Sequence, residues 1–241
     1  TEIRNLEAKM SVLVQAHDYV GVLYAGVLRP HDRSLPPQVL EFNVRLGDPE
    51  AQVLLPLLRA DWYDICVKCA NRWPMTGMEQ WWDTRTHAVN VVVCHAGYPA
   101  TGPVGADGCV VRVAGDDVEN GAGEDAGAGR VAQAASSSSA VACYVANATR
   151  VPDAPRTYRS TKGGRLLSVV ATDTRSLFHA HQAAYAFVRD RVRVDEGLHY
   201  RRDIAWAAAG RGAVPRATPS GSPSSSLNVA LLGSTRGTST P

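Results

Sequence analysis

The sequence has little lysine and no long run of apolar residues. Its lysines are Lys9, Lys68 and Lys162, so arginine carries nearly all of the positive charge, a bias that we attribute to coding rather than chemistry. The formal net charge is +2, too small to attract nucleic acid or an anionic membrane surface. The apolar runs fall short of the roughly 20 residues that a membrane-spanning helix needs. We find no signal peptide either, and we expect a cytoplasmic protein without nucleic-acid or membrane partners.

Cysteine is sparse and irregularly spaced. An odd number of cysteines and the lack of a secretory signal favour reduced thiols over a disulfide framework. Cys66 and Cys69 form a Cys-x-x-Cys pair, but no second pair of cysteines or histidines stands at metal-ligand spacing, and the segment has helical spacing. We therefore expect neither a zinc site nor a redox function there. We interpret His95 as a core or loop residue and His179 and His181 as surface residues of a helix.

The apolar residues that are present suffice for a core. With 241 residues, 45% of them hydrophobic, the chain can form one large or two small domains. Helical spacing and strand alternation together predict an α+β fold. Helices are predicted at residues 2–16, 61–70 and 177–192, and strands at 21–28, 39–45, 87–94, 141–145 and 166–171.

Two stretches interrupt these patterns. Residues 114–140 are rich in glycine, alanine, aspartate and serine, and they contain too few large apolar residues to pack, so we expect a disordered insertion in a surface loop. Residues 210–226 are rich in proline, glycine and serine and predict a flexible linker. The chain then continues at 227–241 with a predicted strand and a glycine-containing loop of the phosphate-binding kind.

The stretch at residues 39–50 is the strongest candidate for a functional site. Side chains alternate faces along a strand, so three apolar residues should form a core face and three polar residues the opposite face. A carboxylate and an amide oxygen two residues apart suit a hard cation such as Mg²⁺, and a guanidinium next to them suits a phosphate. A solvated polar face of an edge strand is the alternative. The apolar residues are Leu40, Phe42 and Val44, and the polar ones are Glu41, Asn43 and Arg45.

The residues after this strand predict a helix start. Asp48 can cap the helix, with Pro49 at the first helical position and Glu50 in the first turn. Exposed amide groups at such a helix end favour an anion. Capping alone and participation in a ligand site are both compatible with these residues.

The segment from Glu41 to Gln52, Glu-Phe-Asn-Val-Arg-Leu-Gly-Asp-Pro-Glu-Ala-Gln, closely resembles the metal and substrate strand of the phosphoribosylamine–glycine ligase family, which has an ATP-grasp fold. Three further segments resemble the same family: Gly-Val-Leu-Tyr-Ala-Gly at 21–26, Gly-Tyr-Pro at 97–99 and Gly-Gly-Arg at 163–165. The resemblance implies the C-terminal part of an ATP-grasp domain at 1–86, then a small mixed α/β subdomain at 87–209 that closes the ligase. Val44 and Leu46 replace the family's usual cysteine and phenylalanine, which are mild apolar changes.

The resemblance also implies an activity. Enzymes of this family use ATP to convert glycine to glycyl phosphate, which the amine of 5-phosphoribosylamine attacks to give glycinamide ribonucleotide, ADP and phosphate. By the resemblance, Glu41 and Asn43 hold Mg²⁺ or Mn²⁺, and Arg45 steadies the transferred phosphoryl group. The resemblance also implies that Gly47, Asp48 and Glu50 surround glycine. It further implies that Lys162 and Arg165 contact the phosphate of the ribosylamine.

The resemblance covers about half of a complete ligase, from about residue 21 to 207, and the family's glycine-rich loop and adenine-binding segments have no counterpart in it. We therefore expect the fragment to be inactive alone. The alternatives are a different ATP-grasp carboxylate–amine ligase and a noncatalytic remnant or interaction module. Residues 227–238 resemble the first strand of glycinamide ribonucleotide formyltransferase, which implies fusion to other purine-pathway domains.

Overall fold

The computed structural model describes residues 2–30, 32, 34–99, 108–114, 130–135, 138–206, 208–209 and 225–233. Its helices and antiparallel sheets make the architecture α+β, as the sequence predicted. The chain divides into two compact units. The first contains Thr1–Ala51, Leu58–Asp83 and Arg216–Pro241, and the second contains Gln52–Leu57 and Thr84–Pro215. The step from Asp83 to Thr84 lies near the predicted boundary after residue 86, while the assignment of the units to ligase domains stays a prediction.

The observed helices and strands agree with most of the predicted spans. The α-helices are α1 (Glu2–Ala16), α2 (Ala51–Leu54), α3 (Trp62–Ala70) and α4 (Leu177–Arg191), and Leu55–Leu57 and Met78–Trp81 form 3₁₀ turns. The strands are β1 (Gly21–Arg29), β2 (Gln38–Asn43), β3 (His87–His95), β4 (Cys109–Val113), β5 (Arg130–Ala135), β6 (Ser139–Val145), β7 (Thr149–Arg150), β8 (Thr157–Ser160), β9 (Arg165–Asp173), β10 (Val192–Val194), β11 (Leu198–His199) and β12 (Ser225–Gly233).

The first unit is built on an antiparallel sheet in the order β12-β1-β2. Helix α1 packs on it because Met10 and Val14, one turn apart, are buried in a cluster with the β1 residues Leu23, Ala25 and Val27. These three residues alternate along β1, so the intervening residues point to the opposite face of the sheet. That opposite face carries the candidate site.

The apolar face predicted for β2 is exposed, which corrects the sequence expectation. Leu40, Phe42 and Val44 have exposed fractions of 61%, 47% and 72%. The physical reason is that, among the described residues, none of the buried clusters includes a side chain of β2, which lies at an edge of its sheet. Within the described residues, the buried cluster beneath α1 contains side chains of α1 and β1 and none of β2. Strand alternation therefore predicted which side chains share a face, but not which face is covered.

The turn after β2 is longer than predicted. Helix α2 begins at Ala51 rather than at Pro49, because the amide of Ala51 donates to Gly47 O at 2.8 Å and closes a turn over the intervening residues. The helix is also short, since it changes to a 3₁₀ turn that contains Pro56. By contrast, α3 starts as predicted, with the Asp61 carboxylate accepting from the amide of Tyr63 at 2.8 Å.

The second unit has one core beneath two sheets and a helix. A five-stranded sheet has the order β11-β3-β9-β6-β5, and a four-stranded sheet has the order β10-β4-β8-β7. Side chains from both sheets and from α4 form a single buried cluster that includes Val91, Val111, Leu167 and Val188. Strand β3 is buried over most of its length, as its continuous apolar sequence predicted.

Two expectations in the second unit need correction. Within the predicted insertion, Arg130–Ala135 forms β5 and pairs with β6, which backbone hydrogen bonds allow without large side chains. Residues 115–129 and 136–137 of that range, and residues 210–224 of the predicted linker, lie outside the described residues.

The second correction concerns His181, which is 5% exposed rather than on the surface. The centre of its ring lies 4.6 Å from that of the Tyr185 ring and 5.9 Å from that of the Trp206 ring, so these aromatic side chains cover it.

The described helices are short or amphipathic. Among the described residues, no helix combines the length and the apolar character needed to cross a bilayer.

Candidate functional site

Glu41 and Asn43 lie side by side on one face of β2. Asn43 Nδ2 donates a hydrogen bond to Glu41 Oε1 at 3.0 Å, and the pair is accessible to solvent. Because the amide nitrogen is used in this bond, the amide oxygen of Asn43 and the carboxylate of Glu41 are the atoms that can coordinate a cation. The strand therefore presents two hard oxygen donors at its open edge.

Gly26 makes room for the Glu41 side chain. In the antiparallel pairing of β1 with β2, Gly26 stands opposite Glu41. A Cβ atom at Gly26 would lie 3.2 Å from Glu41 Cγ, which is tighter than ordinary packing. The sequence contained a signal for this residue, since a glycine inside a strand often marks a close approach of another group.

Tyr24 connects the strand to the turn that follows it. It stands opposite Asn43 in the β1–β2 pairing and is only 6% exposed. Burial, the charge of the Glu50 carboxylate and a hydrogen bond to that carboxylate raise the pKa of Tyr24 to about 12, with a further contribution from Glu41, while Arg45 acts in the opposite direction. The phenol is therefore a protonated hydrogen-bond donor at neutral pH. Sequence reasoning did not select Tyr24, although it lies in the Gly-Val-Leu-Tyr-Ala-Gly segment.

Gly47 allows Glu50 and Tyr24 to pack against the turn. Gly47 is buried, and a Cβ atom there would overlap Glu50 Oε2 and lie 3.1 Å from Tyr24 Cε2. Any larger residue would have to displace the Glu50 carboxylate. The structure thus brings together the predicted residues Gly47 and Glu50 and adds Tyr24 to them.

Arg45 and Asp48 follow β2 in the chain, and both are exposed to solvent. Strand β2 ends at Asn43, so Arg45 sits in the bend that follows, where its Nη1 donates to Leu46 O at 3.0 Å. Its guanidinium is close enough to act on Tyr24 electrostatically. Asp48 is exposed in the turn, ahead of the first residue of α2.

Lys162 and Arg165 belong to the second unit. They flank a glycine turn in which Gly163 and Gly164 have φ angles of 64° and 83°, and Asn147 Nδ2 donates to Gly163 O at 2.9 Å. Lys162 is exposed and Arg165 begins β9. The cluster around β2 is built from first-unit residues, so these two cations are not among the residues that it brings together.

The donor set around β2 fits a hard divalent ion that shares its coordination with a substrate. In the part of the chain that the structure describes, no group of three or more His, Cys, Asp or Glu side chains is placed to hold a metal ion. Glu41 and Asn43 instead supply two oxygens. Mg²⁺ usually keeps several waters and is bound by one or two protein groups together with substrate phosphates, and two oxygens meet that requirement.

Comparison with known proteins identifies relatives along most of the chain. The phosphoribosylamine–glycine ligase of Salmonella typhimurium is 30% identical over 198 residues, which are 82% of this chain and 38% of that protein. The chain is homologous to phosphoribosylamine–glycine ligase. The resemblance to this family therefore extends over most of the chain. No protein-family model matches the chain.

A second group of relatives consists of larger proteins whose names describe them as trifunctional. The trifunctional purine biosynthetic protein adenosine-3 of Gallus gallus is 46% identical over 87 residues, which are 36% of this chain and 8% of that protein. The protein of the same name from Drosophila melanogaster is 38% identical over 104 residues, 43% of this chain and 7% of that protein. The chain thus spans well under half the length of each of these relatives.

Proposed function

We propose that the chain contributes the metal and glycine part of an ATP-dependent ligase that joins glycine to 5-phosphoribosylamine in de novo purine biosynthesis. Homology to phosphoribosylamine–glycine ligase supports the reaction class. The observation that carries the proposal is the pair of Glu41 and Asn43, joined by a hydrogen bond on the exposed face of an edge strand. The first unit is then part of an ATP-grasp domain and the second its C-terminal subdomain.

Glu41 and Asn43 would hold Mg²⁺ or Mn²⁺ beside the triphosphate of ATP. The bound ion would neutralise charge on the phosphate oxygens. Arg45, in the bend just beyond the pair, would bind the phosphoryl group by two parallel hydrogen bonds. Its present bond to a backbone carbonyl is exposed and can be exchanged at low cost.

The turn from Gly47 to Glu50 would bind glycine. The glycine carboxylate displaces ADP from the γ-phosphorus and becomes glycyl phosphate. The amine of phosphoribosylamine then attacks the acyl carbon, phosphate leaves, and the nitrogen loses a proton to give the amide. This sequence needs positioned charges rather than a nucleophilic side chain of the protein. Lys162 and Arg165 would contact the phosphate of the ribosylamine.

The proposal places the chain in a longer polypeptide. The ligase relative is covered over 38% of its length, and the adenine-binding residues of the proposed enzyme would lie in the remainder. Fusion to further purine-pathway domains is proposed because some relatives are named trifunctional. A cytoplasmic location is expected for such an enzyme.

The test is the substitution Glu41→Gln in the complete ligase polypeptide that contains this chain. We expect glycine-dependent ADP formation to fall roughly 100-fold or more, because the variant loses the charged metal ligand while a hydrogen-bond acceptor remains. The melting temperature should hardly change, since exposed substitutions usually alter stability by within about 0.5 kcal/mol. Mn²⁺ binding, followed by electron paramagnetic resonance, should weaken in parallel.

A matched control is Asp64→Asn, which removes an exposed carboxylate from the first turn of α3 in the same unit. This variant should retain Mn²⁺ binding and turnover. Wild-type turnover by a folded Glu41→Gln protein would contradict the proposal. Turnover with another small carboxylate in place of glycine would instead favour a different ATP-grasp carboxylate–amine ligase.

A further inference from the structure

A tyrosine hydroxyl is buried beneath the turn that follows β2. Tyr24 is only 6% exposed, and a buried hydroxyl without a partner would be costly. Its partner is the carboxylate of Glu50, to which the phenol donates a hydrogen bond. This bond joins a residue of the central strand to one in the turn, so β1 controls where the Glu50 side chain lies.

Gly47 completes this arrangement from the other side. The missing side chain at Gly47 leaves the space that Glu50 Oε2 occupies, and Tyr24 Cε2 borders the same space. The Glu50 carboxylate is therefore held between the tyrosine hydroxyl and the glycine backbone. Long carboxylate side chains normally lose rotamer freedom on binding a ligand, and this packing removes much of that cost in advance.

The charges around Glu50 suit one end of an amino-acid zwitterion. A carboxylate has about four acceptor positions, and the phenol uses one of them. A carboxylate can accept several hydrogen bonds at once, including those from an ammonium group, which offers three donors. Arg45, assigned above to the phosphoryl group that the glycine carboxylate attacks, brings a positive charge to the same region.

We propose that Tyr24 is a positioning residue of the amino-acid site: its hydroxyl holds the Glu50 carboxylate where that group accepts hydrogen bonds from the ammonium group of glycine. This inference rests on the proposed function. It assigns the ammonium end of the substrate to Glu50 and gives the buried tyrosine a role that acts through Glu50 rather than by contact with the substrate.

The experiment is Tyr24→Phe in the complete ligase polypeptide, assayed with glycine and ATP varied separately. Phenylalanine keeps the ring packing and removes only the hydrogen bond. We expect the KM for glycine to rise roughly tenfold, which corresponds to the loss of one charge-assisted hydrogen bond, while the KM for ATP stays within about twofold. A merely structural role would change both constants or lower kcat alone.

The matched control is Tyr19→Phe. Tyr19 lies in the same unit, and its hydroxyl donates to the carbonyl of Val22 at 2.9 Å, away from the turn. Its removal should leave both KM values unchanged. If Tyr24→Phe proves unstable, Gly47→Ala tests the same arrangement with the tyrosine intact, and it should also raise the KM for glycine selectively.

A double-mutant cycle with Glu50→Gln separates positioning from direct contact. If Tyr24 acts through Glu50, then adding Tyr24→Phe to Glu50→Gln should change the KM for glycine little further. Fully additive effects, or an unchanged KM for glycine in Tyr24→Phe alongside active wild-type enzyme, would overturn this inference only. A wild-type polypeptide without any glycine-dependent turnover would contradict the proposed function, and the inference with it.

Discussion

Single residues in this protein are held by partners close to them in sequence as well as by distant ones. Asp173 is an example from the end of β9, where its side chain is fully buried. Arg175 surrounds it: Oδ1 accepts from the Arg175 backbone amide at 2.7 Å and from Nε at 3.1 Å, and Oδ2 accepts from Nη2 at 2.7 Å. These hydrogen bonds, more than the nearby positive charge itself, hold the pKa of Asp173 well below its usual value.

The lowered pKa of Asp173 predicts a pH-dependent contribution to stability. We expect Asp173→Asn to lower the free energy of unfolding at pH 7 by about 1–3 kcal/mol, the range for hydrogen bonds that involve a charged group. Because the folded-state pKa is below the unfolded one, this stabilisation is present above the ordinary pKa of aspartate, near 3.8, and is lost as the pH falls through the folded-state value.

Urea unfolding of both proteins between pH 2.5 and pH 7 would measure this effect. The difference between wild type and Asp173→Asn should be constant near neutral pH and shrink in the acid range. A difference that does not depend on pH would show that the loss comes from packing rather than from the charge.

At the scale of elements, strand β2, which carries the candidate site, and strand β9, which lies in the core of the second unit, differ in how much of each is buried. Strand β9 lies inside the five-stranded sheet and has most of its residues buried, whereas β2 is exposed over most of its length. Both sequences are apolar at alternate or successive positions, so the pattern alone does not distinguish them. What differs is the layer packed on each strand, and α4 belongs to the cluster that buries β9.

This difference predicts opposite outcomes for two similar truncations. Leu167→Ala in β9 removes a fully buried side chain and should destabilise the protein by about 2–5 kcal/mol. Leu40→Ala in β2, at a position that is 61% exposed, should change the free energy of unfolding by less than about 0.5 kcal/mol. Urea unfolding with circular dichroism would compare them. Equal losses would show that β2 is covered when the chain is in solution.

The secondary structure was largely predictable from local patterns. The Asp61 cap of α3 and the buried run of β3 depend on residues within one or two turns or along a single strand, and both were predicted. Strand β5 was missed because its alanine-rich sequence pairs through backbone hydrogen bonds with β6 and carries little hydrophobic signal. The start of α2 was misplaced because the amide of Ala51 donates to the carbonyl of Gly47, so the residues between them form a turn.

For the whole molecule, the two units have different roles in the proposal. The first unit holds the cluster around Glu41 and Glu50, and the second carries Lys162 and Arg165. The chain covers 38% of the Salmonella typhimurium ligase, so in the proposal a substantial part of the site is supplied by a longer polypeptide that contains this chain.

The isolated chain is accordingly expected to lack ligase turnover. Glycine-dependent ADP formation should be at background for the 241-residue chain and measurable for the complete polypeptide that contains it. A coupled assay for ADP, run with and without glycine and phosphoribosylamine, checks this expectation. Turnover by the isolated chain would show that the 241 residues hold a complete site.

The sequence by itself determined the relationship to phosphoribosylamine–glycine ligase and the shared face of Glu41 and Asn43, because strand alternation sets the direction of side chains two residues apart. Only the tertiary structure decided that Tyr24 meets Glu50, that Leu40 and Phe42 are exposed, and that His181 is buried. Each of these depends on which distant segment packs against the residue. Local periodicity carries no information about such partners, since it relates only neighbours along one element.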